Sequence, residues 1–408
     1  MRVVFLVAAI VMVGGLGSTE VNDSRPPGIN GETWQFGPHN RWAYTHIREI
    51  LPTKDILNGS SFVQLIPGLE GAKKDLSIKF NGQTTRLSAV MKNQFIDGIL
   101  VIKNGTAIAE LYDGTLTPNH THLMWSVSKT ITGLTAATVE ADGLIDLNKT
   151  VSSYVPELSK SGWGENTLRE LLDMRDSSNW VEDYDSPEST VRRQDCADGL
   201  LTGPMCIDTD VVGNYKFLPA VGTDTTRQGT FIYKSGTTDV MAWVLEAATG
   251  KRYADLVSER LWKPLGAEQN AGITVDVSGF TLASGGMFTS LRDAARIGQL
   301  ILNKGRVGRT QVIPETWIND VLTQQGDGKL LPLGSESVAP YYRSFIWGIG
   351  DGKGTVLARG VHGQFIYISP STGVVIAMYS SWPNADGGAP RVGFDNALKL
   401  LESIKNSI

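Results

Sequence analysis

The chain has 408 residues, 41% of them hydrophobic and 19% charged, with a formal net charge of −5. That length buries a large core, and 45 glycines spread among apolar segments mean many tight turns and argue against disorder. Lys and Arg are scattered and form no basic stripe, so nucleic acid is not an expected partner.

Taken in chain order, Arg2 is followed by an apolar run from Val3 to Val13 and then by Gly14, Gly15, Gly17 and Ser18. A charged start, a short apolar stretch and a small-residue exit predict a cleavable signal over residues 1–17, and hence a periplasmic or secreted protein. The run is too short to span a bilayer, so no stable membrane insertion is expected after its removal. A single domain over 18–408 should follow. One lobe takes in about 18–148 and 281–408, and a mainly helical lobe takes in about 149–280. Asn40 to Leu51 has helical spacing through Trp42, His46, Ile47 and Ile50. Gly98–Lys103 and Ala107–Tyr112 are β-type runs around Asn104-Gly105, a type I′ hairpin signal. A helix is predicted over Ser126–Ala141, stopped by Gly143.

Further helices are predicted over Thr167–Met174, Thr238–Thr249 and Tyr253–Trp262, with a long loop from Asp176 to Gly229. Ser290-Leu-Arg-Asp293 has the form of a cap leading into a helix to Asn303. Gln364–Ile368 and Val374–Tyr379 form strands around a Pro-Ser-Thr-Gly turn, and a helix over Phe394–Ile404 closes the chain. Strands near both ends with helices between them give an α+β protein whose terminal segments share one sheet.

The two cysteines, Cys196 and Cys206, are candidates for a local disulfide in an exported chain, with two free thiols as the alternative. Two sulfurs without a neighbouring His leave a zinc shell half empty, and the five histidines make no ligand cluster, so no metal is expected. Five Asn-x-Ser/Thr sequons start at Asn22, Asn58, Asn104, Asn119 and Asn148, and would matter only in a eukaryotic secretory pathway.

Three elements carry chemistry. Ser126-Val-Ser-Lys129 puts a hydroxyl and an amine three residues apart, on one face of a helix. Burial would lower the lysine pKa and make it a base for the serine, whose own N–H would serve as an oxyanion donor. About one Ser-x-x-Lys arises by chance in such a chain, so the motif alone is weak. Tyr233-Lys-Ser235 lies between a β-type run and a helix, where a tyrosine can relay protons or simply be half-buried. Gly360-Val-His362-Gly363-Gln364 enters a strand, where glycine lets backbone N–H groups approach a ligand. A Gly-x-Ser-x-Gly elbow, a Walker loop and a dinucleotide fingerprint are all absent from the sequence.

In this order the three elements resemble the class C β-lactamase and penicillin-binding superfamily of serine hydrolases. The blocks Asn40-Arg-Trp42, Trp125-Ser-Val-Ser-Lys-Thr130, Leu171-Leu-Asp-Met174, Glu182-Asp-Tyr184 and Asp239–Glu246 are similar to the 6-aminohexanoate-dimer hydrolase branch. The resemblance implies a β-lactamase/transpeptidase-like fold, with an antiparallel sheet flanked by helices and a mainly helical lobe across the site. It implies Ser126 as acyl-enzyme nucleophile, and Lys129 and Tyr233 as base and relay. Ser126 and Gly363 would form the oxyanion site, and Tyr184, Asp195, Ser235 and His362 would contact substrate. The Lys-Thr-Gly triplet of β-lactamases is replaced by His362-Gly363-Gln364, which removes a cation for a β-lactam carboxylate. The expected substrate is a small ester or amide, with no metal or organic cofactor. The alternatives are a β-lactamase or D-amino-acid peptidase, and a non-catalytic binding protein of the same fold.

Overall fold

The computed structural model describes residues 24–59, 63–72, 74–323, 341–389 and 392–408; the expected leader lies outside them. Seven strands form the main sheet: β1 (Ile96–Lys103), β2 (Thr106–Tyr112), β3 (Tyr341–Arg343), β4 (Ile346–Gly348), β5 (Val356–Gly360), β6 (Gln364–Ser369) and β7 (Val374–Ser380). Their order is β3-β4-β5-β6-β7-β1-β2, antiparallel throughout. The pairing of β7 with β1 joins the C-terminal third to the early hairpin. Asn104 and Gly105 both have positive φ (49° and 79°), the conformation a type I′ turn requires.

The central strands are buried on both faces, which is why they read as continuous apolar runs. On β6, Ile366 and Ile368 face the helix Leu291–Leu302, where Gly298 lets the backbone come close. Phe365 and Tyr367 face the opposite side, against Phe394 and Glu402 of the last helix, Phe394–Lys405. Ser290 caps the first of these helices by accepting from the Asp293 N–H.

Across the site lie the helices that we label α1 (Ser128–Ala141), α2 (Thr190–Ala197) and α3 (Ser235–Thr249). α1 is the core helix, buried from Ser128 to Val139. A second, four-stranded sheet runs Thr53–Ile56, Ala271–Thr274, Met287–Thr289, His122–Leu123.

Three expectations need correction. Asn40–Leu51 is a helical turn at Asn40–Ala43 and a 3₁₀ turn at Ile47–Glu49, because Trp42 and Ile47 are buried by tertiary contacts and not along one helix face. The long loop after Asp176 contains α2, a polar helix capped by Ser189, and so without an apolar stripe to announce it. Tyr253–Trp262 changes from α-helix to a π-turn at Ser258.

Candidate active site

The chain reaches the site through a strained turn. His122–Leu123 pairs with Met287–Thr289, and the Met124 N–H donates to Met287 O at 2.8 Å. Trp125 then adopts φ 47°, a left-handed conformation costly for a bulky residue. Its ring is stacked between Trp34 (5.7 Å) and His362 (5.6 Å), with Tyr44 edge-on, and this packing holds the turn. Ser126 therefore stands on a 3₁₀ turn, Trp125–Val127, ahead of α1 and not within it. The α-helix thus begins at Ser128, two residues later than predicted.

Lys129, on the first turn of α1, is fully buried. Its Nζ lies 2.9 Å from Ser126 Oγ, 3.0 Å from Ser235 Oγ and 2.6 Å from the carbonyl of Ser284. Burial drives its pKa down to about 8, against the upward pull of Glu182 and Asp239. Asp239, on α3, is itself raised to about 6 by burial, and it accepts from Gln194 and from the Ser284 N–H. It thereby fixes the segment whose carbonyl holds Lys129.

The extended stretch before α3 splits its side chains by alternation. Lys234 points into the core, to a buried ion pair with Asp176 at 2.9 Å. Tyr233 and Ser235 reach the cleft. The Tyr233 ring presents its face to Lys129 Nζ at 5.1 Å and stacks on Trp347. Ser235 Oγ donates to Glu182 Oε1 at 2.5 Å, and its N–H donates to Glu182 Oε2 at 2.8 Å. Tyr184 donates to the same carboxylate at 2.5 Å. Burial first, and then Glu182, push the Tyr184 phenol well above its ordinary pKa, so it is a neutral donor. A continuous path thus runs Ser126–Lys129–Ser235–Glu182–Tyr184.

The glycine that meets Ser126 is Gly360, at the end of β5. A Cβ there would lie 2.7 Å from Met124 O and 3.0 Å from Ser126 N. Gly363 is elsewhere: a Cβ on it would strike Trp382 and Ser380. Against expectation it is Gly360, and not Gly363, whose backbone lies beside Ser126, because the tight link between β5 and β6 turns Gly363 toward Trp382 and Ser380. His362 is buried, and its Nδ1 lies 2.8 Å from Trp382 O, which can only accept, so Nδ1 carries the proton. Burial lowers its pKa to about 4, and the imidazole is neutral.

Ser126, Tyr184 and Val361 stand where two branches of the cleft meet. The outer branch is lined by Tyr233, Glu182, Asp183, Asp386, Arg227 and Arg359. The inner branch is lined by Trp34, Leu51, Trp125, Leu282, His362 and Ser284, and by two charged side chains from α2, Arg192 and Asp195. Arg192 Nη1 holds Asp195 at 3.0 Å and also donates to Gln35. Cys196 and Cys206 are bonded and close the chain just after this pair. Among the described residues no group of His, Cys, Asp or Glu could hold a metal ion.

A family model described as Beta-lactamase matches residues 87–398, more than half of the chain. The chain belongs to the beta-lactamase family. It is 33% identical over 385 residues to the 6-aminohexanoate-dimer hydrolase of Paenarthrobacter ureafaciens, covering 90% of this chain and 93% of that one. A solved structure of a candidate 6-aminohexanoate-dimer hydrolase from Bacillus anthracis superposes with a TM-score of 0.80 at 26% identity, covering 93% and 95% of the two chains. A candidate beta-lactamase from Bacteroides dorei shares the fold alone, with a TM-score of 0.57 at 19% identity over 78% of this chain and 96% of that one.

In this beta-lactamase-family enzyme, three contributors escaped the sequence reading. Glu182 sits inside the Glu182-Asp-Tyr184 block, and its burial is what marks it. Gly360 opens the same glycine segment as Gly363, and spacing alone cannot say which glycine faces Ser126. Arg192 lies three residues before Asp195 on a helix that the sequence did not reveal.

Proposed function

We propose that the chain is an acyl-enzyme hydrolase of small linear esters and amides, with Ser126 as nucleophile and Lys129 as its base. The hydrogen-bond inventory around Lys129 carries this reading. Ser284 O can only accept, so it takes one N–H of the amine. Ser235 spends its proton on Glu182, so its oxygen takes a second. A neutral amine has two N–H groups and one lone pair. The lone pair is left for the Ser126 hydroxyl at 2.9 Å.

In the forward step Ser126 Oγ loses its proton to Lys129 and bonds to the carbonyl carbon. The developing oxyanion meets backbone N–H groups of Ser126 and Val361. The proton passes by way of Tyr233 to the leaving oxygen or nitrogen, and the acyl group stays on Ser126. Water then attacks the ester, giving a proton to the same base system; the Oγ–acyl bond breaks, Ser126 Oγ takes that proton back, and the acid leaves. The neutral Tyr184 hydroxyl beside Ser126 is suited to contact a scissile amide, and the name of the Paenarthrobacter relative supports that substrate class. A β-lactam carboxylate gains no cation from His362, which is uncharged.

Export is part of the same proposal, supported by the leader-like start and by the Cys196–Cys206 bond. N-terminal sequencing of the mature chain tests it. The catalytic reading is tested with p-nitrophenyl esters, 6-aminohexanoate oligomers and a chromogenic cephalosporin. Esters or linear amides should be turned over best, and Lys129→Ala should lower kcat/KM by about 10²–10⁴-fold. Undiminished turnover by folded Lys129→Ala would refute the assignment.

A further inference from the structure

Two carboxylates act on Lys129, and both raise its pKa against burial. Glu182 has an evident task, since it holds Ser235 and Tyr184. Asp239 lines neither branch of the cleft, and its bonds go to Ser284 and Gln194. Yet it is 0% exposed, and a carboxylate is costly to bury unless its oxygens are bonded.

Both of its oxygens are bonded. Oδ1 accepts from the Ser284 N–H at 2.8 Å, and Oδ2 accepts from Gln194 Nε2 at 2.8 Å. The same Gln194 nitrogen donates to Asn214 Oδ1 at 2.9 Å, and Asn214 Nδ2 donates to Asp198 Oδ2 at 3.0 Å. α2 and α3 are thus tied together behind Ser284. Ser284 faces both ways: its N–H goes to Asp239, and its carbonyl takes Lys129 Nζ at 2.6 Å. Gly285 and Gly286 follow it, and two glycines in a row leave the direction of that carbonyl to be fixed from outside.

On the proposed acyl-enzyme reading, on which this inference rests, that direction matters. The carbonyl takes one N–H of the amine and so decides where the lone pair points. We propose that Asp239 is a positioning residue: through the backbone of Ser284 it aims the Lys129 amine at Ser126. Its charge also reaches the amine. Burial raises the Asp239 pKa only to about 6, so it is an anion where the neutral amine forms, near 8, and it opposes the effect of burial there. The other groups facing the amine are Glu182 and the Tyr233 ring. Asp239 itself also faces Asp198 and Tyr253, both pushed toward their neutral forms by burial.

The experiment compares pH profiles of kcat and kcat/KM on p-nitrophenyl hexanoate for the wild type, Asp239→Asn and Asp239→Glu, each checked for folding by circular dichroism. Asp239→Asn keeps the shape but turns an N–H toward one of its two donors. It should lower the plateau kcat by about 10-fold and leave KM within about 2-fold. Its rising limb should move to lower pH by about 0.5 pH unit, because a charge that raised the lysine pKa is gone. Asp239→Glu keeps the charge and displaces the oxygens, so kcat should fall while the limb stays. An unchanged kcat in either folded variant, or an unmoved limb in folded Asp239→Asn, overturns the proposal and leaves Lys129 as the base. Failure of both variants to fold also overturns it, by making Asp239 a residue of stability alone. Undiminished turnover by folded Lys129→Ala overturns this inference and the acyl-enzyme reading together.

Discussion

Lys129 is buried with three polar neighbours, and in the proposed mechanism its protonation decides whether Ser126 can act as the nucleophile. Its pKa is lowered to about 8, chiefly by burial, so the neutral amine gains population as pH rises through that value. The account predicts that kcat/KM rises with pH through about 8. Glu182 pulls the Lys129 pKa upward, so Glu182→Gln should move this limb to lower pH while reducing kcat through the displaced Ser235. A pH profile of the two enzymes reads both effects. Gly360→Ala is the second test at this scale. Its Cβ would crowd Met124 O and Ser126 N, and the loss of oxyanion geometry should lower kcat by about 10²-fold, checked beside an unchanged circular dichroism spectrum. Ser126, Lys129 and Tyr233 were legible because their residue types and order are distinctive. Glu182 and Gly360 were not, because a carboxylate acquires its role from burial among donors, and a glycine from what passes beside it.

The elements show where local sequence suffices and where it does not. The β1–β2 hairpin was readable because Asn104-Gly105 tolerates positive φ at both positions. The β3–β4 turn was not: Ser344 and Phe345 also have positive φ (52° and 61°), which their side chains do not favour. Tertiary bonds hold it, with the Ser344 N–H donating to Asp173 at 3.1 Å and Arg169 donating to Ser344 Oγ. The helix Leu291–Leu302 was foreseen from its cap, while its close seat on the sheet depends on Gly298. A Cβ there would lie 2.5 Å from Val375 Cγ1 and 2.9 Å from Ile366 Cγ2. Gly298→Val should therefore destabilise the fold by about 1–3 kcal/mol, as read from urea denaturation, even though Gly is a poor helix former.

At the scale of the molecule, the site is assembled from distant parts of the chain. The second sheet delivers Trp125 and Ser126, α1 supplies Lys129, and α3 begins at Ser235. The 182–195 segment brings Glu182, Tyr184, Arg192 and Asp195, and the end of β5 closes over Ser126 with Gly360. The α+β class and the shared terminal sheet followed from the placement of strands and helices along the sequence. The two-branched cleft did not, since it depends on how α2 and the β5–β6 link pack around one turn. In the proposed mechanism the architecture serves one event, transfer of an acyl group to Ser126. Intact-protein mass spectrometry after brief mixing with p-nitrophenyl hexanoate tests that most directly. The account predicts a single hexanoyl adduct that maps to the Ser126 peptide, decays with turnover and is absent from Ser126→Ala. An adduct on another residue, or undiminished turnover by Ser126→Ala, would contradict it.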